Sequence, residues 1–197
     1  MRKISAILLA AGESKRMGVN KLVLPWGRKT VLERCVDVLI RSNIKEVVVV
    51  LSSRTEALGD RLRGAKVRLV VNPNYHSGMS TSIRRGVQEV GRGSDGILIA
   101  LGDQPLLRTR TINALIHALV QGKGKIIVPI FRGRRGHPVL FGPTFAKELL
   151  HLKGDIGARS LLQKHLKSVF EVRTKSEGVV TDMDTWEDYR KRLQGRR

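Results

Sequence analysis

The chain of 197 residues carries 37 Lys and Arg against 17 Asp and Glu, a formal net charge of +20. Its length fits one domain, and a hydrophobic fraction of 41% is enough for a core and argues against general disorder. No apolar run approaches the roughly 20 residues that cross a bilayer, and a single cysteine, Cys35, excludes an internal disulfide framework and any multi-cysteine zinc or iron–sulfur site. A reducing cytoplasm is the expected setting.

The start, Met1-Arg2-Lys3-Ile4, is charged like a signal peptide. Its apolar run passes straight into Gly12-Glu13-Ser14 without a convincing cleavage site, and it reads as a buried strand. Strands are predicted over 4–10, 46–51, 67–71, 97–101 and 125–129. They are nearly continuous aliphatic runs, the mark of a parallel sheet covered on both faces. Between them, residues 30–41 place Val31, Leu32, Cys35, Val36, Leu39 and Ile40 on one helical stripe. Met79, Ile83, Val87 and Val90 recur at helical spacing, as do Ile112, Leu115, Ile116, Leu119 and Val120. The expected fold class is α/β, a doubly wound and mostly parallel sheet in a single Rossmann-like domain. The last third breaks the alternation. Short apolar segments at 139–141 and 169–172 sit among helices near 144–152, 158–165 and 186–193, packing on the same sheet with room for an antiparallel strand.

In an open α/β sheet, ligands bind at the carboxyl ends of the strands. The loop after the first strand reads Leu9-Ala10-Ala11-Gly12-Glu13-Ser14-Lys15-Arg16-Met17-Gly18-Val19-Asn20-Lys21. Small residues at Ala10, Ala11 and Gly12 let backbone N–H groups approach a ligand, and Arg16 and Lys21 add cations suited to phosphate. It is neither a Walker A loop, lacking the Gly-Lys-Ser/Thr, nor a dinucleotide fingerprint, since Gly12 and Gly18 are too far apart. The plainer reading is a tight strand-to-helix turn with solvated basic residues.

Carboxylates are scarce, so their placement is informative. Asp103 follows the strand at 97–101 and Gly102, where a divalent metal bound to phosphate would be held; as a plain turn residue it would cap the next helix. In Asp182-Met183-Asp184-Thr185-Trp186-Glu187-Asp188, Asp184 or Thr185 reads as a helix N-cap, with Glu187 and Asp188 favouring the helix's positive end. The junction from Asn72 to Ser82 has Gly78 to free the backbone, and Ser80 and Ser82 where hydroxyls cap a helix or bond a ligand. Further on, Arg132-Gly133-Arg134-Arg135-Gly136-His137-Pro138 is a flexible basic loop. Its His137 reads as a pH-sensitive catalytic group or as a polar donor, a lone His beside Pro being more often structural. Gly154-Asp155-Ile156-Gly157-Ala158-Arg159 reads as a loop capping the helix after it.

The first loop resembles the Leu-Ala-Ala-Gly-x-Ser-x-Arg-Met-Gly-x-x-Lys signature of nucleotidyltransferases acting on the molybdenum cofactor, within the larger family of sugar-nucleotide-type pyrophosphorylases. The Gly-Asp-x-Pro, Asn-Pro…Gly-Met-Ser-x-Ser, Arg-Gly-His-Pro, Gly-Asp-x-Gly-Ala-Arg and terminal Asp-x-Asp-Thr-x-Glu-Asp segments resemble the same family. They occur in family order over nearly the whole chain, with Trp186 standing where the family has Pro. The resemblance implies that the first loop, including Leu9, wraps a nucleoside triphosphate, with Arg16 and Lys21 on its phosphates in catalytic roles. It implies that Asp103 and Asp184, with Asp182 as the competitor, hold Mg²⁺, and that Asn72, Gly78, Ser80 and Ser82 lie beside base and ribose. His137, Asp155 and Arg159 become candidates for the second substrate, a pterin, so that 1–108 is the nucleotide-binding half and 109–197 the acceptor-binding half.

The reaction implied is CTP plus molybdopterin bearing molybdenum, giving the cytosine dinucleotide form of the cofactor and pyrophosphate, with a molybdenum enzyme as eventual recipient. Ala11 favours cytidylyl transfer, since guanylyl relatives tend to read Leu-Ala-Gly-Gly. The rivals are the same chemistry with GTP or with a sugar or polyol phosphate. A basic nucleic-acid-binding protein is a rival of another class, against which stand an aromatic content of 4% and the lack of any recognisable binding motif. Neither a membrane nor a specific nucleic acid is expected as partner.

Overall fold

Strands that are aliphatic at every position must be covered on both sides. A computed structural model of the protein describes residues 2–14, 16–155 and 157–194; the motif positions Lys15 and Ile156 lie outside them. The chain runs through β1 (Ile4–Ala10), a two-residue-turn hairpin of β2 (Pro25–Trp26) and β3 (Lys29–Thr30), α1 (Val31–Ile40), β4 (Glu46–Ser52), β5 (Arg68–Asn72) and α2 (Met79–Glu89). It continues through β6 (Gly96–Leu101), α3 (Thr109–Val120), β7 (Ile126–Phe131), β8 (Arg134–Arg135), β9 (Val139–Phe141), α4 (Ala146–Leu150), α5 (Arg159–Lys164), β10 (Val169–Arg173) and α6 (Trp186–Gln194). The main sheet has the order β10-β7-β9-β6-β1-β4-β5, with β8 paired to β7. β1 pairs in parallel with β4 and β6, as β4 does with β5 and β7 with β10. β9 alone lies antiparallel between β6 and β7 on this path. The doubly wound, mostly parallel α/β sheet expected from the sequence is therefore present, and the short apolar segment at 139–141 supplies its antiparallel strand.

Alternate residues of each central strand feed two cores. Ile4, Ala6, Leu8, Val47, Val49, Leu51 and Leu98 pack toward α1 and α3. Ile7, Val48, Val50, Ile97 and Ile99 pack toward α2, α4 and α5 with Ile83, Phe145, Leu149 and Leu161. The helix read over 144–152 is instead a short 3-10 turn (Pro143–Phe145) running into five residues of α4. The hairpin β2–β3 carries no apolar alternation over its two-residue strands and left no periodic signal.

Two local devices fix the helices that bear on the ligand cleft. α1 begins with a reciprocal capping box: Glu33 N–H donates to Thr30 Oγ1 (3.2 Å) and Thr30 N–H to Glu33 Oε2 (2.6 Å). α2 lies so close to the sheet that a Cβ at Gly86 would strike Ile7 Cγ2 and sit 3.1 Å from Val50 Cγ2.

Gly86→Ala is therefore expected to destabilise the protein by about 1–3 kcal/mol in urea unfolding, although alanine is the better helix former. A stabilised variant would show that α2 can retreat from β1. Burial raises the Glu33 carboxyl, but the Thr30 N–H and hydroxyl, together with the Arg61 and Lys29 charges, outweigh it and hold the group below its usual value. Its contribution is then present above the unfolded carboxylate range and lost as pH falls through the folded pKa. Glu33→Gln should accordingly weaken the protein near neutral pH and have progressively less effect below about pH 4.

Candidate active site

A cavity of about 750 Å³ opens at the carboxyl ends of β1 and β6, within the usual size of a small-molecule site. Residues 9–14, Tyr75 to Met79 with Ser82, and Asp103, Asp182 and Asp184 with Lys21 line it. Its shape depends on local backbone chemistry. The first loop turns with Ser14 at φ 52° and Gly18 at φ 67°. Met17 N–H donates to Ser14 O (3.0 Å), Lys21 N–H donates to Ser14 Oγ (3.1 Å), and Asn20 Oδ1 caps the next turn through Leu22 N–H (3.0 Å). Gly102 is tied to β1 by its N–H on Leu9 O (2.9 Å), and Cys35 Sγ donates to Gly102 O (3.2 Å). Cys35 thus supports the residue before Asp103 from below; burial, then the nearby Asp103 charge, pushes its thiol well above the ordinary range.

At the centre, Lys21 Nζ lies 2.6 Å from Asp103 Oδ2 and 2.8 Å from Asp184 Oδ1, and Arg16 reaches Asp184 Oδ2 at 3.1 Å. The Lys21 and Asp103 side chains are only 12% and 19% exposed, whereas Arg16 is 72% exposed. Burial opposes the Lys21 charge, yet Asp103 and Asp184 outweigh it and raise the ammonium pKa. Burial, assisted by the Asp182 and Asp184 charges, raises the Asp103 carboxyl despite Lys21; Asp184, held by its hydrogen bond from Lys21, is lowered.

Asp103 Oδ1 is buried without a partner, as is Gln104 Oε1. The other end of Gln104 donates from Nε2 to Asp182 Oδ1 (2.7 Å), and Met183 N–H donates to Asp103 O (3.3 Å), so the segments 102–105 and 182–184 are laced together.

Several alternatives left open by the sequence are resolved. Asp103 caps no helix: α3 begins at Thr109, with Arg108 at its N-cap position and no side-chain cap. Thr185 caps α6, accepting at Oγ1 from Asp188 N–H (3.1 Å) while Asp188 Oδ2 accepts from Thr185 N–H (3.0 Å), which leaves Asp184 to Lys21 and Arg16. Neither Ser80 nor Ser82 caps α2; Gly78 stands at its N-cap with φ 97° and no side-chain cap of its own helix. The cap comes from 76 residues away, where Asp155 Oδ1 accepts from Met79 N–H (2.9 Å). A Cβ on Gly78 would lie 2.8 Å from Gly154 O, so the two loops fit only with glycine there.

Of the residues singled out by sequence, Leu9, Ala10, Ala11, Gly12, Arg16, Lys21, Gly78, Ser82, Asp103, Asp155 and Asp184 line one cavity. Asn72, Ser80, His137 and Arg159 do not line it. Asn72 is buried behind the wall, donating to Thr81 Oγ1 (2.9 Å) and Ser82 Oγ (3.0 Å), and Ser80 Oγ is buried without a partner. His137 is half-buried beyond Asp182; burial lowers its pKa against the opposing Asp182 charge.

Glu13, Tyr75 and His76 also face the cavity, though no sequence argument picked them. Glu13 Oε1 meets Arg54 (3.1 Å) and His76 Nδ1 (3.5 Å), and the His76 ring stacks on Tyr75 with centroids 3.8 Å apart. Arg54 belongs to no motif, so nothing in the sequence marks this group.

The donor set suits a hard divalent cation: carboxylate oxygens only, one of them buried and unpartnered. Among the described residues, no group of three or more His, Cys, Asp and Glu side chains is placed to hold a metal by itself. One or two carboxylates is the number with which Mg²⁺ is held where phosphates complete its shell. No helix among the described residues is long and apolar enough to cross a membrane.

The chain is similar to known proteins over nearly its whole length. The chain is 33% identical to the purine catabolism protein PucB of Bacillus subtilis, covering 93% of this chain and 92% of that one. It is 30% identical to nicotine blue oxidoreductase of Paenarthrobacter nicotinovorans (93% of both) and 25% identical to the molybdenum cofactor cytidylyltransferase of Escherichia coli (96% and 95%). Among solved structures, Rv0371c of Mycobacterium tuberculosis in complex with manganese superposes with a TM-score of 0.82 at 28% identity, over 98% of each chain. A nucleotidyl transferase of Methanothermobacter does so with a TM-score of 0.84 at 26% identity, over 98% and 97%. Residues 6–169 match the MobA-like NTP transferase domain, and the chain belongs to that family of nucleotidyltransferases.

Proposed function

We propose that the protein transfers CMP from CTP to molybdopterin bearing molybdenum, releasing pyrophosphate, with Mg²⁺ as cofactor and a molybdenum enzyme as the recipient of the product. The observation that carries the reading is the contact of Lys21 Nζ with two carboxylates at 2.6 and 2.8 Å beside a buried, unpartnered carboxylate oxygen. A lysine so placed balances a charge that a divalent cation balances once triphosphate oxygens offer the ammonium other partners. The manganese complex of the Mycobacterium tuberculosis relative supports a divalent site in this fold. The Escherichia coli cytidylyltransferase, matched over 96% of this chain and 95% of its own, supports the base and the acceptor, and the Leu9-Ala10-Ala11-Gly12 string supports the base.

Asp103 and Asp184 would hold the metal, with Asp182 set beside them by Gln104. When bound, Mg²⁺ supplies charge neutralisation on phosphate oxygens. Everything else falls to the chain. Backbone N–H groups near Ala11 and Gly12 face the nucleotide, while Lys21 and Arg16 bind triphosphate oxygens and take up charge developing on the leaving pyrophosphate. An oxygen of the pterin's terminal phosphate forms the new bond to the α-phosphorus as the bond from that phosphorus to the bridging oxygen of pyrophosphate breaks. A phosphate monoester is already largely ionised at neutral pH, with a second pKa of roughly 6, so no side chain has to remove a proton. His137, kept toward its neutral form by burial, would act on the acceptor side as a polar contact together with Asp155 and Arg159.

A second reading keeps the chemistry and changes the base or acceptor, to GTP or to a sugar or polyol phosphate. It is favoured by one observation: PucB and nicotine blue oxidoreductase are more identical to this chain than the cytidylyltransferase is.

Pyrophosphate release, measured with each nucleoside triphosphate with and without molybdopterin, separates the two. The expected result is release with CTP only when molybdopterin is present; release with GTP, or with a polyol phosphate in place of the pterin, selects the second reading. Asp103→Ala should lower Mg²⁺-dependent release at least about 100-fold, and unchanged release would sink the metal assignment. Lys21→Met, which strands Asp103 among two other carboxylates, should cost about 3 kcal/mol of stability near neutral pH. Asp103 then gains a proton more readily in the folded than in the unfolded chain, so this deficit should shrink as pH falls, visible in urea unfolding at several pH values.

A further inference from the structure

We infer that Trp186 is a positioning residue for the phosphate-facing loop and acts through Arg16. The inference rests on the proposed reading that Arg16 engages the triphosphate. Trp186 Nε1 donates to Met17 O at 3.1 Å across 169 positions of sequence. One residue before Met17, Arg16 pairs with Asp184, two residues before Trp186. The first loop and the segment 184–186 are therefore joined by two adjacent rungs, one ionic and one a hydrogen bond to backbone.

Both supports of the tryptophan are themselves fixed. The Thr185–Asp188 box sets the start of α6 and hence the direction of the indole, and the ring meets Tyr189 edge-on with centroids 5.9 Å apart. Tyr189 in turn donates its hydroxyl to Pro25 O (2.6 Å) and packs near Trp26. On the loop side the Met17 side chain is 5% exposed, and the backbone turns through Ser14 and Gly18 at positive φ.

An indole left 40% exposed on the first turn of a helix adds little to the core; its N–H is what reaches the loop. Arg16, with a largely exposed side chain, has no burial to hold it over the cavity. Holding its neighbour's carbonyl in place before the ligand arrives reduces the ordering that binding would otherwise require.

The test is a cycle of Trp186→Phe, Arg16→Ala and the double variant. Phenylalanine keeps the edge-on contact with Tyr189 and lacks only the N–H donor. CTP affinity is measured by calorimetry with Mg²⁺, together with KM, kcat and thermal unfolding. In Trp186→Phe, Kd and KM for CTP should rise about threefold to tenfold, the range spanned by loss of one hydrogen bond, with kcat within twofold. The same change made on top of Arg16→Ala should have no further effect on Kd. Unchanged CTP affinity in Trp186→Phe overturns the inference, as does a Kd penalty that simply adds to that of Arg16→Ala. A fall in melting temperature with kcat and both substrates' KM shifted together also overturns it, since that is a general loss of structure. Absence of triphosphate binding by the wild-type protein would overturn the functional reading itself, and this inference with it.

Discussion

A lysine ammonium held between two carboxylates organises the structure around it. Lys21 Nζ lies within 2.8 Å of oxygens from residues 82 and 163 positions away. A mostly buried positive charge is tolerable only with such partners, so three distant segments have to be brought to one point. Each is delivered by a different device. Ser14 Oγ and Asn20 direct the first loop, the Gly102 N–H on Leu9 O and the Cys35 thiol seat Asp103, and the Thr185 cap releases Asp184 from helix duty. The sheet supplies the frame, but the charge cluster determines where its loops end.

How much of this was visible beforehand follows the range of each interaction. The strands were legible because a parallel sheet buried on both faces demands aliphatic residues at every position, and 4–10 and 46–51 read that way directly. α1 was legible because its apolar stripe is local, whereas its Thr30–Glu33 capping box was seen only in the structure. What escaped was non-local chemistry. Asp155 read as the cap of the helix beside it, whereas its carboxylate closes α2; sequence reveals a capping residue but not which helix a loop will reach. Glu13 and His76 are joined across the cavity mouth with Arg54, and no spacing encodes that meeting. Asn72 and Ser80 fell on the right junction but stand behind the wall, because a strand-to-helix turn places alternate side chains toward and away from the cleft.

The +20 charge takes on a different meaning once the cleft is seen. Five of the chain's 17 carboxylates, Glu13, Asp103, Asp155, Asp182 and Asp184, line a cavity to which Arg16 and Lys21 contribute the cations. The protein is basic outside and locally acidic where an anion is expected to bind. The long-range field draws phosphates toward the molecule, while close approach has to be arranged by Lys21, Arg16 and backbone N–H groups.

The antiparallel strand β9 has a wider consequence. It lies between β6, near the middle of the chain, and β7, and both precede it in sequence. A growing polypeptide therefore completes β6 long before the neighbour that will cover that edge exists. Until Val139, Leu140 and Phe141 arrive, an apolar run is left with an open ladder, the condition under which strands pair with other molecules. Three residues near position 140 thus act as the closing stitch of the sheet, and the cavity-facing end of β6 waits on a segment that contributes no residue to the cavity.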